Sequence, residues 1–144
     1  MSRVQGKNTK PEKLLRSALH ARGLRYRLHV KDLPGRPDMV FSRHRTALFV
    51  HGCFWHGHNC SLFRIPETRR EFWENKINGN RERDLNASNL LQKSGWRVLT
   101  VWECALRGRY RLPVNDLFNR LCQSITSGER TNIEFMEMPQ TEVV

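Results

Sequence analysis

Thr46-Ala47-Leu48-Phe49-Val50-His51-Gly52-Cys53-Phe54-Trp55-His56-Gly57-His58-Asn59-Cys60 is the stretch whose reading decides the fold. Its first five residues are apolar and partly β-branched, and a short run of that kind reads as a buried central strand. The loop that follows directly, His51 to Cys60, holds three of the chain's six histidines and two of its four cysteines. Phe54 and Trp55 stand side by side within it. Thiolate and imidazole are the preferred ligands of zinc. Exposed aromatics beside basic residues are suited to stacking on bases or wedging between them. One loop therefore offers metal ligands, proton-transfer groups and a base-contacting surface.

Outward from this strand, the pattern alternates between sheet and helix signals. Thr9-Lys10-Pro11-Glu12 reads as a capping box, with Leu14, Leu15, Ala18 and Leu19 as one apolar face and Gly23 as the stop. Short strands are predicted at Tyr26–Val30 and Asp38–Phe41, around the rigid turn Leu33-Pro34-Gly35-Arg36-Pro37. Glu67–Ile77 reads as a helix with Phe72, Trp73 and Ile77 offset by one turn. A second runs from Arg81 to Ser94, with Leu85, Leu90 and Leu91 inward and Gly95 as its stop. Trp96–Trp102 alternates like a strand. Pro113 opens a last helix to about Ile125, with Val114, Leu117, Phe118 and Leu121 apolar. The order is that of an α/β domain with a mixed sheet flanked by helices. Residues 1–8 read as a basic arm, 9–126 as a single domain and 127–144 as a polar, acidic tail with little core-forming capacity.

The 144 residues suffice for one full core. Lys and Arg total 25 against 14 Asp and Glu. The last sixteen residues carry Glu129, Glu134, Glu137 and Glu142 against Arg130 alone, so the preceding 128 hold 24 basic and 10 acidic residues. Such a body suits a polyanion. Arginine predominates, and its planar fork fits phosphates and guanine edges. No apolar run approaches the ~18 residues that cross a bilayer, and the start has no secretory signal pattern. The expectation is a cytoplasmic protein with no membrane partner. In that compartment, cysteines clustered with histidines point to metal rather than disulfides.

Cys53, His58 and Cys60 lie within eight positions, and a closed tetrahedral zinc site needs a fourth ligand. Cys104 is the best candidate, because adjacent strand ends would bring it to the loop. Cys122 falls in the apolar phase of the last helix, where a buried free cysteine is the simpler reading. A four-coordinate site with three cysteines cannot use all three loop histidines. His51 and His56 are thus left for acid–base work or for holding the loop and contacting phosphate. Asp38 stands at a strand start. If its strand pairs with the next, Asp38 and His51 would face each other across a small gap. Asp38 and a nearby backbone carbonyl could then hold magnesium against a phosphate. Glu12 is a possible supporting carboxylate, although a capping role already accounts for it.

Gly35-Arg36-Pro37-Asp38, the Phe49–Cys60 stretch, Arg69 to Lys76 with Phe72-Trp73, and Gly95–Leu99 through Val101–Gly108 together resemble the very-short-patch-repair (Vsr) DNA mismatch endonucleases. The resemblance runs from about Thr9 to Arg120. It implies a restriction-endonuclease-like fold with an added structural zinc site. It implies magnesium-dependent nicking of one strand, 5′ to the thymine of a T:G mismatch produced by deamination of 5-methylcytosine. By resemblance, Asp38 binds magnesium with the Val50 carbonyl, and His51 and His56 are catalytic, with His56 the general base. Cys53, His58, Cys60 and Cys104 resemble the zinc ligands, and Phe54, Trp55 and Trp73 the aromatics that wedge beside the mismatch. The family further implies a monomer working in the bacterial cytoplasm on nucleoid DNA, linked to a cytosine-5 DNA methyltransferase and a repair polymerase and ligase.

Three departures stand out. Threonine is often found where this chain has Val50, which is harmless if only the main-chain carbonyl binds magnesium. Gly57 stands where a third histidine is common, and would loosen the loop. The N-terminal arm is short, which implies weaker clasping of DNA. Two other readings fit the charge and the Cys/His loop: a restriction-type nuclease of the same fold acting on other DNA, and a non-catalytic zinc-stabilised DNA-binding module. Asp38 and two spare histidines favour an enzyme, and the aromatic trio favours a distorted duplex.

Overall fold

α1 (Lys10–Ala21), β1 (Arg27–Leu28), β2 (Met39–Phe41), β3 (Thr46–His51), α2 (Arg70–Lys93), β4 (Arg97–Trp102), α3 (Glu103–Leu106), α4 (Val114–Thr126) and β5 (Ile133–Phe135) follow one another along the chain. The computed structural model describes residues 10–129 and 131–139. Thr9 and the expected arm lie outside them. The five strands form one sheet in sequence order. β1–β2 and β2–β3 pair antiparallel, whereas β3–β4 and β4–β5 pair parallel. Parallel neighbours need a crossover. α2 supplies it between β3 and β4, and α4 between β4 and β5.

Strand alternation distributes the core between two faces. Leu48 of β3 joins Leu15 and Leu19 of α1 and Leu117, Phe118, Leu121 and Ile125 of α4, with Val50 packed against them. Ala47 and Phe49 turn the other way and meet Leu91 of α2 and Val98 of β4. β3 is covered on both sides, which explains its unbroken apolar run. α1 and α2 end as expected at Gly23 and Gly95. In each, the amide two residues beyond the last full turn reaches back, Leu24 to Leu19 at 3.1 Å and Trp96 to Leu91 at 2.9 Å. That closure needs a left-handed residue, and Gly95 supplies it at φ +87°.

Three differences from the sequence reading bear on the site and the core. The two expected helices of residues 67–94 are one, α2, which runs straight through Asn78-Gly79-Asn80. Its buried stripe is Ile77, Ala87 and Leu91, and Leu85 and Leu90 are exposed. Leu14 and Val114 likewise face outward. The reason is phase: one continuous helix places residues 77, 84 and 91 on a single stripe, and Leu85 and Leu90 fall beside it. The third difference is in the tail. Residues 133–135 form β5, and Phe135 is buried in the main core. A three-residue strand is too short to show alternation, and its pairing with Leu99–Val101 is a long-range matter.

Candidate active site and metal centre

The parallel pairing of β3 with β4 sets His51 opposite Trp102. The loop after β3 and the start of α3 therefore emerge side by side, and Cys104 reaches the loop. Cys53, His58, Cys60 and Cys104 each offer a ligand atom within 4.8 Å of the others, a group that could hold a metal ion. His58 Nδ1 lies 3.8 Å from Cys53 Sγ and 3.6 Å from Cys104 Sγ. The loop is folded to present them: the His58 amide donates to the Cys53 carbonyl at 2.9 Å, and the His56 amide to Gly52 at 3.2 Å. The His58 ring stacks on Trp102, centroids 4.2 Å apart. Glu103 Oε1 accepts from the Cys53 amide, and the Glu137 amide donates to Cys104 Sγ at 3.3 Å. The hydrogen bond between the Cys53 and Cys104 thiols lowers the Cys104 pKa to about 7 and raises that of Cys53. Cys122 packs against the main core on α4, outside this group.

His51 and His56 form a second centre. Their rings stack with centroids 3.8 Å apart and planes within 6°. His56 Nδ1 lies 2.5 Å from Asp84 Oδ2. Burial, then the neighbouring His56, push the His51 pKa down to about 3, so this ring is neutral at neutral pH. Its Nδ1 meets no hydrogen-bond partner among the described residues. His51, His56 and Asp84 line a cavity of about 480 Å³, with Arg81, Thr100 and Trp102 on its walls. The sequence reading missed Asp84. The signal existed: an acid at the seven-residue spacing Ile77, Asp84, Leu91 lies on the helix's inward stripe. Splitting α2 between Ile77 and Arg81 hid that spacing.

Asp38 belongs to a third group. Its Oδ2 accepts from the Val50 amide at 2.6 Å, and its Oδ1 lies 3.9 Å from His29 Nδ1. His29 Nε2 lies 3.2 Å from Glu12 Oε2, and Glu12 is almost fully buried. Burial raises the Asp38 pKa to about 7; the Val50 amide opposes this and the Glu12 charge adds to it. One expectation is corrected here. Asp38 does not face the His51 ring: it reaches β3 through the Val50 amide, while alternation turns His51 to the α2 side with Phe49. Glu12 is turned toward His29 and Arg16, and its expected capping bond to Thr9 falls outside the described residues. His29 was also missed, because nothing local in Arg27-Leu28-His29-Val30 marks it.

Phe54, Trp55 and Trp73 come together as expected, with centroid separations of 5.1, 5.4 and 5.8 Å. Phe72 joins them at 5.1 Å from Trp73, with the Arg69 guanidinium over its face. Trp55 and Phe72 are exposed. Asn80 Nδ2 donates to the Trp55 carbonyl at 2.8 Å and ties the loop to α2. The expected loosening at Gly57 is reversed. Gly57 is buried at φ +63°, and a Cβ there would lie 2.6 Å from Ile77 Cγ2 and 2.5 Å from Arg81 Nε. Its missing side chain lets the loop press onto α2, where Arg81 donates to its carbonyl. The Val50 side chain packs against the main core.

A family model described as DNA mismatch endonuclease Vsr matches residues 1–62. The DNA mismatch endonuclease Vsr of Escherichia coli (strain K12) is 50% identical over 121 residues, 84% of this chain and 78% of that protein. The type II nicking enzyme V.XorIIP of Xanthomonas oryzae pv. oryzae is 54% identical over 106 residues, 74% of this chain and 78% of that one. The type II nicking enzyme V.NmeAIP of Neisseria meningitidis serogroup A is 42% identical over 125 residues, covering 87% of this chain and 88% of its own. Identity at this level over most of both chains leaves no room for a shared motif alone, and the chain belongs to the Vsr family of DNA mismatch endonucleases.

Proposed function

We propose that this protein nicks one strand of a DNA duplex 5′ to the thymine of a T:G mismatch left by deamination of 5-methylcytosine, opening the way to very short patch repair. The observation that carries this reading is the His56–Asp84 pair in the loop directly after β3, the strand whose Val50 amide holds the Asp38 carboxylate. The mixed sheet with helices on both faces supports a restriction-endonuclease-like fold. The protein acts as a monomer in the cytoplasm, beside a cytosine-5 DNA methyltransferase, and hands its product to a repair polymerase and ligase.

The residues present fit two metals. For zinc with bonds near 2.3 Å to sulfur and 2.0–2.1 Å to nitrogen, tetrahedral angles put S and N about 3.6 Å apart. The separations of 3.6 and 3.8 Å at His58 match that. Cys53, His58, Cys60 and Cys104 would hold zinc as a structural ion. Magnesium suits the oxygen donors at the Asp38 centre, where the buried Glu12 carboxylate lies close enough to the partly buried Asp38 to raise its pKa. Asp38 and the Val50 carbonyl would hold it, with Glu12 in support. Magnesium, when bound, supplies positive charge against the negative charge that develops on the scissile phosphate.

The protein's own groups do the rest. Asp84 fixes the proton on His56 Nδ1, which frees Nε2 to take a proton from the attacking water. The 2.5 Å contact then offsets the charge that His56 gains. His51 stays neutral beside it and adds no repulsion. Phe54, Trp55 and Trp73 enter the duplex, where a mismatched step costs less to unstack than a paired one. The basic body neutralises phosphates. The test is incubation with magnesium and strand-labelled duplexes that are matched, T:G mismatched or methylated. Nicking of the thymine strand alone is expected. Cleavage of both strands of paired DNA would instead assign a restriction-type nuclease, and binding without cleavage a zinc-stabilised DNA-binding module.

A further inference from the structure

Glu12, His29 and Asp38 come from three separate places: the first turns of α1, the residue after β1, and the residue before β2. One ligand atom from each lies within 4.8 Å of the other two. His29 Nε2 lies 3.2 Å from Glu12 Oε2, and the ring's other nitrogen lies 3.9 Å from Asp38 Oδ1, so Nε2 is the nitrogen placed to share an ion with Glu12. Its backbone is pinned where it stands, since the His29 amide donates to the Asp38 carbonyl at 3.0 Å. His29 is also one of four non-glycine residues with left-handed backbone among the described residues, at φ +49°. All three side chains are shielded: 2% exposed for Glu12, 19% for His29 and 13% for Asp38.

The donor set is not one that magnesium alone would select. Magnesium takes oxygen ligands and keeps its waters. Imidazole is a borderline donor that suits transition ions, whereas carboxylates serve magnesium, calcium and manganese alike. An octahedral ion with bonds of about 2.1 Å sets neighbouring ligands about 3 Å apart, and the Glu12–His29 separation of 3.2 Å is of that size. We propose that His29 is a direct ligand of the divalent cation at this centre, together with Glu12 and Asp38, and that it tilts the site from magnesium toward manganese-class ions. This rests on the reading of Asp38 as a cation ligand.

The test uses the zinc-loaded full chain without DNA, titrated with manganese and followed by electron paramagnetic resonance, with magnesium as competitor. Pulsed spectra of the frozen complex should show a histidine nitrogen coupled to the bound manganese. His29→Gln and His29→Asn should each abolish that coupling. Each should weaken manganese binding at least about tenfold, the scale on which a lost supporting group alone weakens a metal site. Magnesium binding should stay within about twofold, so the preference collapses. His56→Ala should keep the nitrogen coupling; its loss there would put the ion at the His51–His56–Asp84 group and overturn the assignment. If Asp38→Asn removes the manganese while both His29 variants keep the coupling and the affinity, the His29 role fails and the Asp38 reading stands. If Asp38→Asn leaves manganese bound, or the native chain binds none, both fail.

Discussion

His51 and His56 lie ring on ring, yet their surroundings assign them different work. Asp84 stands at hydrogen-bond distance from His56, and His51 is walled in by Phe49, Trp102 and His56 itself. His56→Ala should lower kcat by about 10²–10⁴-fold with little change in DNA affinity, since general-base catalysis acts only in the transition state. Asp84→Asn should lower kcat less and shift the acidic limb of the pH–rate profile, where a general base becomes protonated. An unshifted profile would leave Asp84 a packing residue. The depressed His51 pKa also has a stability consequence. Below pH 6.5 the unfolded chain binds a proton at His51 that the folded chain refuses until about pH 3. Stability from this group is therefore intact above pH 6.5 and is lost as pH falls toward 3. Between pH 7 and 4.5 the native protein should lose about 2–3 kcal/mol more than His51→Gln, measured by urea unfolding at both pH values.

At the scale of elements, α2 is the organiser. It covers one face of the sheet with Leu91, supplies Asp84 to the histidines, and holds the β3 loop through Asn80 and Arg81. The loop can lie this close only because residue 57 lacks a side chain. Gly57→His should cost at least about 2 kcal/mol, from the left-handed backbone and the collision with Ile77 and Arg81 together. It should also blunt the discrimination between mismatched and paired duplex, because Trp55 rides on the same turn. A variant as stable as the native chain would show that α2 can retreat. Residue type alone made Gly57 look like slack. Its role depends on Ile77 and Arg81 arriving from twenty and twenty-four residues away, which no local pattern records. The single length of α2 was hidden for a related reason. Asn78-Gly79-Asn80 has poor helix propensity, and tertiary packing of Ile77, Ala87 and Leu91 overrides it.

For the whole molecule, the Cys/His centre joins three distant parts of the chain: the loop after β3, the start of α3, and the tail through Glu137. Glu137 also accepts from the Ser61 amide and hydroxyl, and the Met138 amide donates to Tyr110. Cys60→Ala should release zinc and lower Tm by roughly 10 °C or more, read by metal analysis and a melting curve. Unchanged metal content would remove Cys60 from the ligand set. Phe135→Ala should cost about 3 kcal/mol as a buried aromatic lost from the main core, and should loosen zinc by freeing the tail. Unaltered zinc affinity would show that the tail only packs.

The sequence by itself determined the residue types of the candidate metal group, the central strand, both glycine helix stops and the aromatic trio. Each is written in composition or short-range spacing, where chain geometry acts over a few residues. It also marked Asp38, His51 and His56 as chemistry-bearing. Only the tertiary structure decided who partners whom. Parallel pairing of β3 with β4 carried Cys104 to the loop, and the unbroken α2 brought Asp84 to His56. The α1 and β1–β2 packing closed Glu12 and His29 on Asp38, and β5 drew the tail into the core. The physical reason is the same in each case. These contacts join residues far apart in the chain, and long-range packing selects them, not the conformational preference of any one segment.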